Sequence, residues 1–257
     1  APDPHEAILL LHGYSGSIAP DLVEYGPFLR RTANVLGIDF RGHGDSEPGP
    51  TTFGMLETED VAGALAWLGE RGITRVALFG TSMGGMTAIS SVAVLGDGRF
   101  AAADTEASPT RASIGAPRPL VVAIVADSTA PEVELPVARR LRTPLRRFVA
   151  RQLFDAAGRS LGADPRDTEP GRVIGLVEPV PLLLIHGSAD TTVPLDAARR
   201  LVGLAGPSAE SWIVDGADHS RSHAVAGQDY ERRVTDFLRV AFQRSRDDDL
   251  PGEGPDL

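Results

Sequence analysis

Four apolar residues in a row, Val76, Ala77, Leu78 and Phe79, run without a break into Gly80-Thr81-Ser82-Met83-Gly84-Gly85. A run that is apolar on both faces suits a strand buried in a parallel sheet. A serine bracketed by two glycines suits a turn too tight for side chains on either side. Residues 83–95 continue as small and apolar, as a helix packed close to that strand would. Together these features predict a strand, a sharp turn and a helix, with Ser82 exposed at the turn. The free N–H groups of the helix start then lie beside the serine hydroxyl. The competing reading is a structural glycine-rich turn with an ordinary serine.

The rest of the chain alternates in the same way. Residues 7–11, 34–40, 120–126, 181–186 and 210–214 read as further strands, of which 7–11 and 120–126 are wholly apolar. Residues 20–31 predict a helix interrupted at Gly26-Pro27. Thr58 looks like the N-cap of a second helix, which carries Val61, Leu65 and Leu68 on one face and closes at Gly72. Residues 136–153 predict two short helices split at Pro144, and residues 195–204 and 228–242 two more. Strands alternating with helices mean a mostly parallel central sheet flanked by helices, an α/β fold. Ligands in such sheets bind beyond the carboxyl ends of the strands. Tyr14, Ser82, Asp190 and His219 each follow a strand, so the topology brings them to one edge. Residues 1–244 are expected to form one domain. Residues 96–118 have no periodicity and predict a mobile loop, and residues 245–257 a disordered acidic tail.

Composition removes several chemistries. There is no Cys, hence no disulfide, thiol nucleophile or Cys-based metal site. All 25 basic residues are Arg, so a Lys Schiff base is excluded. A net charge of −10 argues against non-specific nucleic-acid binding. His and carboxylates are scattered without metal-site spacing, and neither a cofactor nor a metal is expected. No apolar run reaches the roughly 18–20 residues that span a bilayer. The chain does not begin with Met and enters its first strand within a few residues. A processed or trimmed form is expected, and the compartment does not follow from the sequence: cytoplasmic, or membrane-associated if an upstream anchor was removed.

Five pieces in order carry a family resemblance: His12-Gly13-Tyr14, Asp39-Phe40-Arg41-Gly42-His43-Gly44-Asp45-Ser46, Gly80-Thr81-Ser82-Met83-Gly84-Gly85, His186-Gly187-Ser188-Ala189-Asp190-Thr191-Thr192-Val193-Pro194 and Gly216-Ala217-Asp218-His219. Across residues 7–243 the chain resembles the α/β-hydrolase superfamily, closest in pattern to bacterial serine hydrolases of the esterase and prolyl-oligopeptidase-like branch. The family's first two strands have no counterpart, and the loop at 96–118 is longer than usual. The resemblance implies a Ser, acid, His chain order, which here gives Ser82, Asp190 and His219. Asp218 and Asp127 remain alternative acids. Met83 N–H and Tyr14 N–H would form the oxyanion hole, with the Tyr14 phenol as a further donor. His12, His43 and His186 are expected to brace turns. The implied reaction is carboxylic ester hydrolysis on a small-molecule substrate, with thioester or small peptide and amide hydrolysis as alternatives. A non-catalytic binding protein on the same fold is the reading from a different class.

Between the fourth and fifth strands, where the family places its lid, residues 129–180 break the alternation. Arg139, Arg140, Arg142, Arg146, Arg147 and Arg151 alternate there with Leu141, Leu145, Phe148, Val149 and Leu153. The plain reading is a solvated helix face over an apolar stripe, and the sharper ones a membrane-surface contact through 139–151 or a clamp for an acidic substrate. Leu141, Leu145, Phe148 and Phe154 are the candidate lining of an acyl pocket. Neither the substrate nor the oligomeric state follows from these features.

Overall fold

A computed structural model describes residues 2–14, 16–95 and 118–248. Six strands form one sheet: β1 (Glu6–Leu11), β2 (Asn34–Ile38), β3 (Arg75–Thr81), β4 (Leu120–Asp127), β5 (Leu182–Gly187) and β6 (Ala209–Val214). Their order is β2-β1-β3-β4-β5-β6 and every neighbouring pair is parallel. The helices are α1 (Ile18–Leu29), α2 (Glu57–Gly69), α3 (Met83–Leu95), α4 (Glu134–Arg140), α5 (Arg146–Leu161), α6 (Pro170–Val173), α7 (Leu195–Leu204), α8 (Ser222–Ala226) and α9 (Gln228–Asp247).

The two faces of the sheet hold two separate cores, as strand alternation requires. Leu9 and Leu11 of β1 and Val76 and Leu78 of β3 point to one face, against Val61 and Leu65 of α2, Met86 and Ile89 of α3 and Leu201 of α7. Ile8, Leu10, Ala77 and Phe79 point to the other, against Tyr25 and Phe28 of α1 and Tyr230, Val234, Leu238 and Phe242 of α9. The central strands are apolar on both sides because both sides are covered.

Helices α4 and α5 leave residues 141–145, including Pro144, between them, so the split falls where the sequence predicts it, but α5 runs on to Leu161 instead of ending at Leu153. Arg166 ties this segment together. Its guanidinium bonds Glu134 of α4, Asp155 of α5 and the neighbouring Asp164. These carboxylates hold the Arg166 guanidinium above its usual pKa, Asp164 and Asp155 contributing most.

Four local expectations need correction. α1 runs through Gly26-Pro27 to Leu29; Pro27 lies in the last turn, and the ladder resumes with Arg30 N–H on Gly26 O. β2 ends at Ile38, not residue 40, because Phe40 N–H donates to His12 Nε2 instead of the sheet. Thr58 is inside α2, its hydroxyl donating to Met55 O. The buried Glu57 carboxylate opens that helix instead, accepting from Thr52 N–H, Thr52 Oγ1 and Gly54 N–H. Helix α9 takes in residues 245–247 of the expected tail. Ser245 is buried and accepts from Arg75 Nε, and Arg246 pairs with Glu6. The remaining tail residues from 249, and residues 96–117 of the expected mobile loop, lie outside the described residues.

Candidate active site

The turn after β3 has the strain its glycines suggest. Ser82 sits at φ +51°, in the left-handed region where a side chain is disfavoured. A Cβ on Gly80 would lie 2.3 Å from the backbone of Gly84, and one on Gly84 would lie 2.0 Å from Leu11 O. No side chain fits at either position. Ser82 N–H donates to Asp127 O at 2.7 Å, so the serine is fixed to the end of the adjacent strand β4. The Gly13 backbone lies against Ser82, with space for a Cβ only 3.6 Å from Ser82 Cβ.

Three loops, 137 residues apart in sequence at the widest, then converge. His219 Nε2 is 2.9 Å from Ser82 Oγ, and His219 Nδ1 is 2.8 Å from Asp190 Oδ2. The Asp190 side chain is fully buried, while that of His219 is only partly buried and reaches solvent. The second oxygen of Asp190 accepts from Thr192 N–H at 2.8 Å and Val193 N–H at 2.7 Å. This fixes the carboxylate in the plane where it can take the His219 Nδ1 proton bond. Nε2 is then left as the acceptor facing the serine hydroxyl.

The two alternative acids are elsewhere. Asp218 faces away from the His219 ring and accepts from Thr191 N–H, Thr191 Oγ1 and His219 N–H. Those three bonds hold its carboxyl below the usual range and join the β5 and β6 loops. Asp127 is buried and accepts only hydroxyls, from Ser128, Ser222 and Tyr230 at 2.9–3.0 Å. Burial pushes its carboxyl up, and the three hydroxyls oppose that. Ser128 Oγ also accepts from Ser220 N–H at 2.9 Å. The dipeptide Asp127-Ser128 therefore touches both sides of the site: Ser82 through its backbone, and the residue after His219 through a side chain. Ser128 and Ser220 share positive φ angles of 57° and 53°. Sequence reasoning missed this network, and no motif marks it.

Met83 opens α3, so its N–H has no partner within the helix. Tyr14 is partly exposed, and its ring meets Phe53 at 5.0 Å, His43 at 5.9 Å and the Arg140 guanidinium at 4.9 Å. His12 is neutral, since burial lowers its pKa and its Nε2 accepts from Phe40 N–H while Nδ1 donates to Gly13 O. His43 and His186 bond the carbonyls of Arg41 and Val193. All three brace turns, as expected from sequence. A further carboxyl, Asp21, lies behind the serine and accepts from Thr81 Oγ1 at 3.3 Å. Burial, with Glu24 nearby, raises it to about 6 despite that bond.

The four expected pocket residues divide. Phe154 is buried and packs on Phe53 at 6.2 Å, which in turn touches Tyr14. Leu145 and Phe148 are 64% and 61% exposed, and Leu141 is half-buried. Leu145 and Phe148 fall on the side of α5 opposite Phe154, so one helix cannot turn all of them into one pocket. Among the described residues no group of three or more His, Asp or Glu could hold a metal ion, and no helix is long and apolar enough to cross a membrane.

The sequence profile of the Alpha/beta hydrolase family matches residues 8–233. The chain belongs to this family. The alpha/beta hydrolase is 26% identical over 239 residues to the uncharacterized protein YfhR of Escherichia coli K12, covering 91% of this chain and 70% of the relative. It is 28% identical over 247 residues to the uncharacterized protein YqkD of Bacillus subtilis, with 91% and 72% covered. Among solved structures, the Pyrococcus furiosus esterase Pf2001 superposes with a TM-score of 0.64 at 24% identity, covering 92% of this hydrolase and 83% of that chain. A Paleococcus ferrophilus monoacylglycerol lipase does so with a TM-score of 0.59 at 19% identity, covering 91% and 94%. These structural likenesses concern the fold.

Proposed function

We propose that the chain is a serine hydrolase that cleaves carboxylic esters through an acyl-Ser82 intermediate. The observation that carries this reading is the unbroken line Ser82 Oγ, His219, Asp190 at 2.9 and 2.8 Å, with Ser82 on a strained turn at the end of β3. A serine hydroxyl is a weak nucleophile near neutral pH and needs a base within hydrogen-bond reach. In the first step Ser82 Oγ attacks the ester carbonyl carbon as His219 Nε2 takes the hydroxyl proton. Asp190 holds the imidazole orientation and stabilises its positive charge. The negative oxygen of the tetrahedral species is met by Met83 N–H and Tyr14 N–H, and each such donor is typically worth about 3–4 kcal/mol of barrier. Collapse breaks the ester C–O bond, and His219 returns the proton to the departing alcohol. Water then attacks the acyl-serine carbonyl, giving its proton to His219, and Ser82 leaves protonated with the carboxylic acid released.

The names of two fold neighbours, an esterase and a monoacylglycerol lipase, agree with ester chemistry. The test is hydrolysis of p-nitrophenyl esters from acetate to palmitate by the wild type and Ser82→Ala, alongside fluorophosphonate labelling. Turnover and labelling by the wild type, both lost in Ser82→Ala, are expected. Labelling of Ser82 without turnover of any ester would retain the nucleophile and overturn the ester class. Absence of both would favour a binding protein on this fold.

A further inference from the structure

Helix α5 is anchored mid-way by the buried Ala150 and Phe154 and carries an unusual outer side. Stepping 100° per residue puts Leu145, Phe148 and Gln152 within a sector of about 60°. That sector lies opposite the buried Ala150 and Phe154. With Val149 and the half-exposed Leu153 the apolar face widens to about 140°, bordered by Arg146 beyond Leu153 and by Arg151 beyond Phe148, while Arg147 lies nearer the buried side. Leu145 is 64% exposed, Phe148 61% and Leu153 51%. Arg139, Arg140 and Arg142, at the end of α4 and just beyond it, are exposed beside them. From 135 to 154 there are six arginines and no acidic residue, in a chain whose net charge is −10. Among the described residues none of the six forms an ion pair, whereas Arg166 just behind them is bonded to three carboxylates.

A solvated helix face has no need of two large apolar side chains that are more than half exposed, and a protein core has no use for arginines on both flanks. We infer that this face docks on an anionic lipid surface. Leu145 and Phe148 enter the acyl boundary, while the flanking arginines lay their stems along it and hold phosphates with their guanidinium forks. The opposite charge supplies most of the attraction, so docking is salt-sensitive. Arg140 also lies over the Tyr14 ring. Docking therefore sets the rim of the Ser82 site against the lipid.

This inference does not depend on the hydrolytic reading, so the test uses the full chain carrying Ser82→Ala. The measurement is flotation with vesicles of phosphatidylcholine alone and of phosphatidylcholine with phosphatidylglycerol, in low and in high salt. Binding to the anionic vesicles in low salt is expected, with loss in high salt and on neutral vesicles. Arg146→Gln/Arg147→Gln/Arg151→Gln, which breaks no ion pair, should weaken binding at least tenfold. Phe148→Ser should weaken it further while leaving the circular dichroism spectrum unchanged. No binding to anionic vesicles, equal binding to neutral ones, or binding untouched by the triple change would overturn the inference. So would a self-associated form that Phe148→Ser disperses without any effect on vesicles.

Discussion

The ends of the neighbouring strands β4 and β5 each present a buried aspartate to the same edge of the sheet, and only one of them meets an imidazole. Asp190, in the loop after β5, accepts from two backbone N–H groups and from His219. Asp127, the last residue of β4, accepts from three hydroxyls and from no base. A carboxylate held by fixed backbone donors and facing a histidine can orient and charge-stabilise that histidine. One that is buried and held by hydroxyls alone can only hold its donors in place. Position after a strand is shared; what differs is whether the loop turns the side chain toward the β6 loop or under it. Asp21 on α1 extends the series, with a single hydroxyl donor and a pKa raised to about 6.

The largest expected effect tests that division directly. Asp190→Asn should lower kcat for the best p-nitrophenyl ester by roughly 10⁴-fold, the scale seen when an amide replaces the acid of a serine-protease triad. Asp127→Asn should cost far less in kcat. Equal losses at the two positions would break the comparison. Next in size is stability. Asp127→Ala strands the buried hydroxyls of Ser128, Ser222 and Tyr230, and at about 1–3 kcal/mol per unpaired group the loss should be roughly 3 kcal/mol or more. Urea denaturation measures it, and a loss under 1 kcal/mol would mean that water replaces the carboxylate.

Ser128→Ala removes the link from Ser220 N–H to Asp127 while leaving every group of the Ser82–His219–Asp190 line in place. About 1–2 kcal/mol of stability should be lost, and kcat should fall with KM unchanged. A rise in KM alone would place Ser128 in substrate contact instead. The smallest effect concerns Asp21. Its folded pKa of about 6 lies above the ordinary value of 3.8, so the native state holds the proton longer than the unfolded chain. Folding stability therefore falls as pH rises from about 4 to 6, and the penalty is complete above that. Asp21→Asn should gain about 1 kcal/mol at pH 8 and nothing at pH 4. A uniform gain at both pH values would show that the cost is not electrostatic.

Much of the architecture was legible because its signals are local. Apolar runs marked β1, β3, β4 and β5, the partly polar edge strands β2 and β6 were marked by their place in the alternation, and the two glycines around Ser82 marked the turn whose tightness the close approaches of Gly80 and Gly84 now explain. Boundaries failed where a side chain from elsewhere in the chain intervened. His12 takes the Phe40 N–H and stops β2 early, and Glu57 rather than Thr58 organises the start of α2. The tail was misread from residue 245 because its acidic composition hides two anchors, Ser245 on Arg75 and Arg246 on Glu6. Of the candidate site, the strand-end residues could be named from their order, with Asp190 favoured by the resemblance and Asp218 and Asp127 left as alternatives that only the placed side chains separate.

Residue order alone determined the parallel sheet, the edge at which ligands must gather and the serine displayed there. These follow from the period of the apolar pattern and from the few residues that tolerate a left-handed turn. Tertiary structure decided which carboxylate faces His219, which hydroxyls Asp127 collects and which side of α5 is left open. Each of these depends on where side chains from distant loops point after the backbone has packed. That direction is set by burial and hydrogen-bond satisfaction across the whole fold, not by neighbours in sequence.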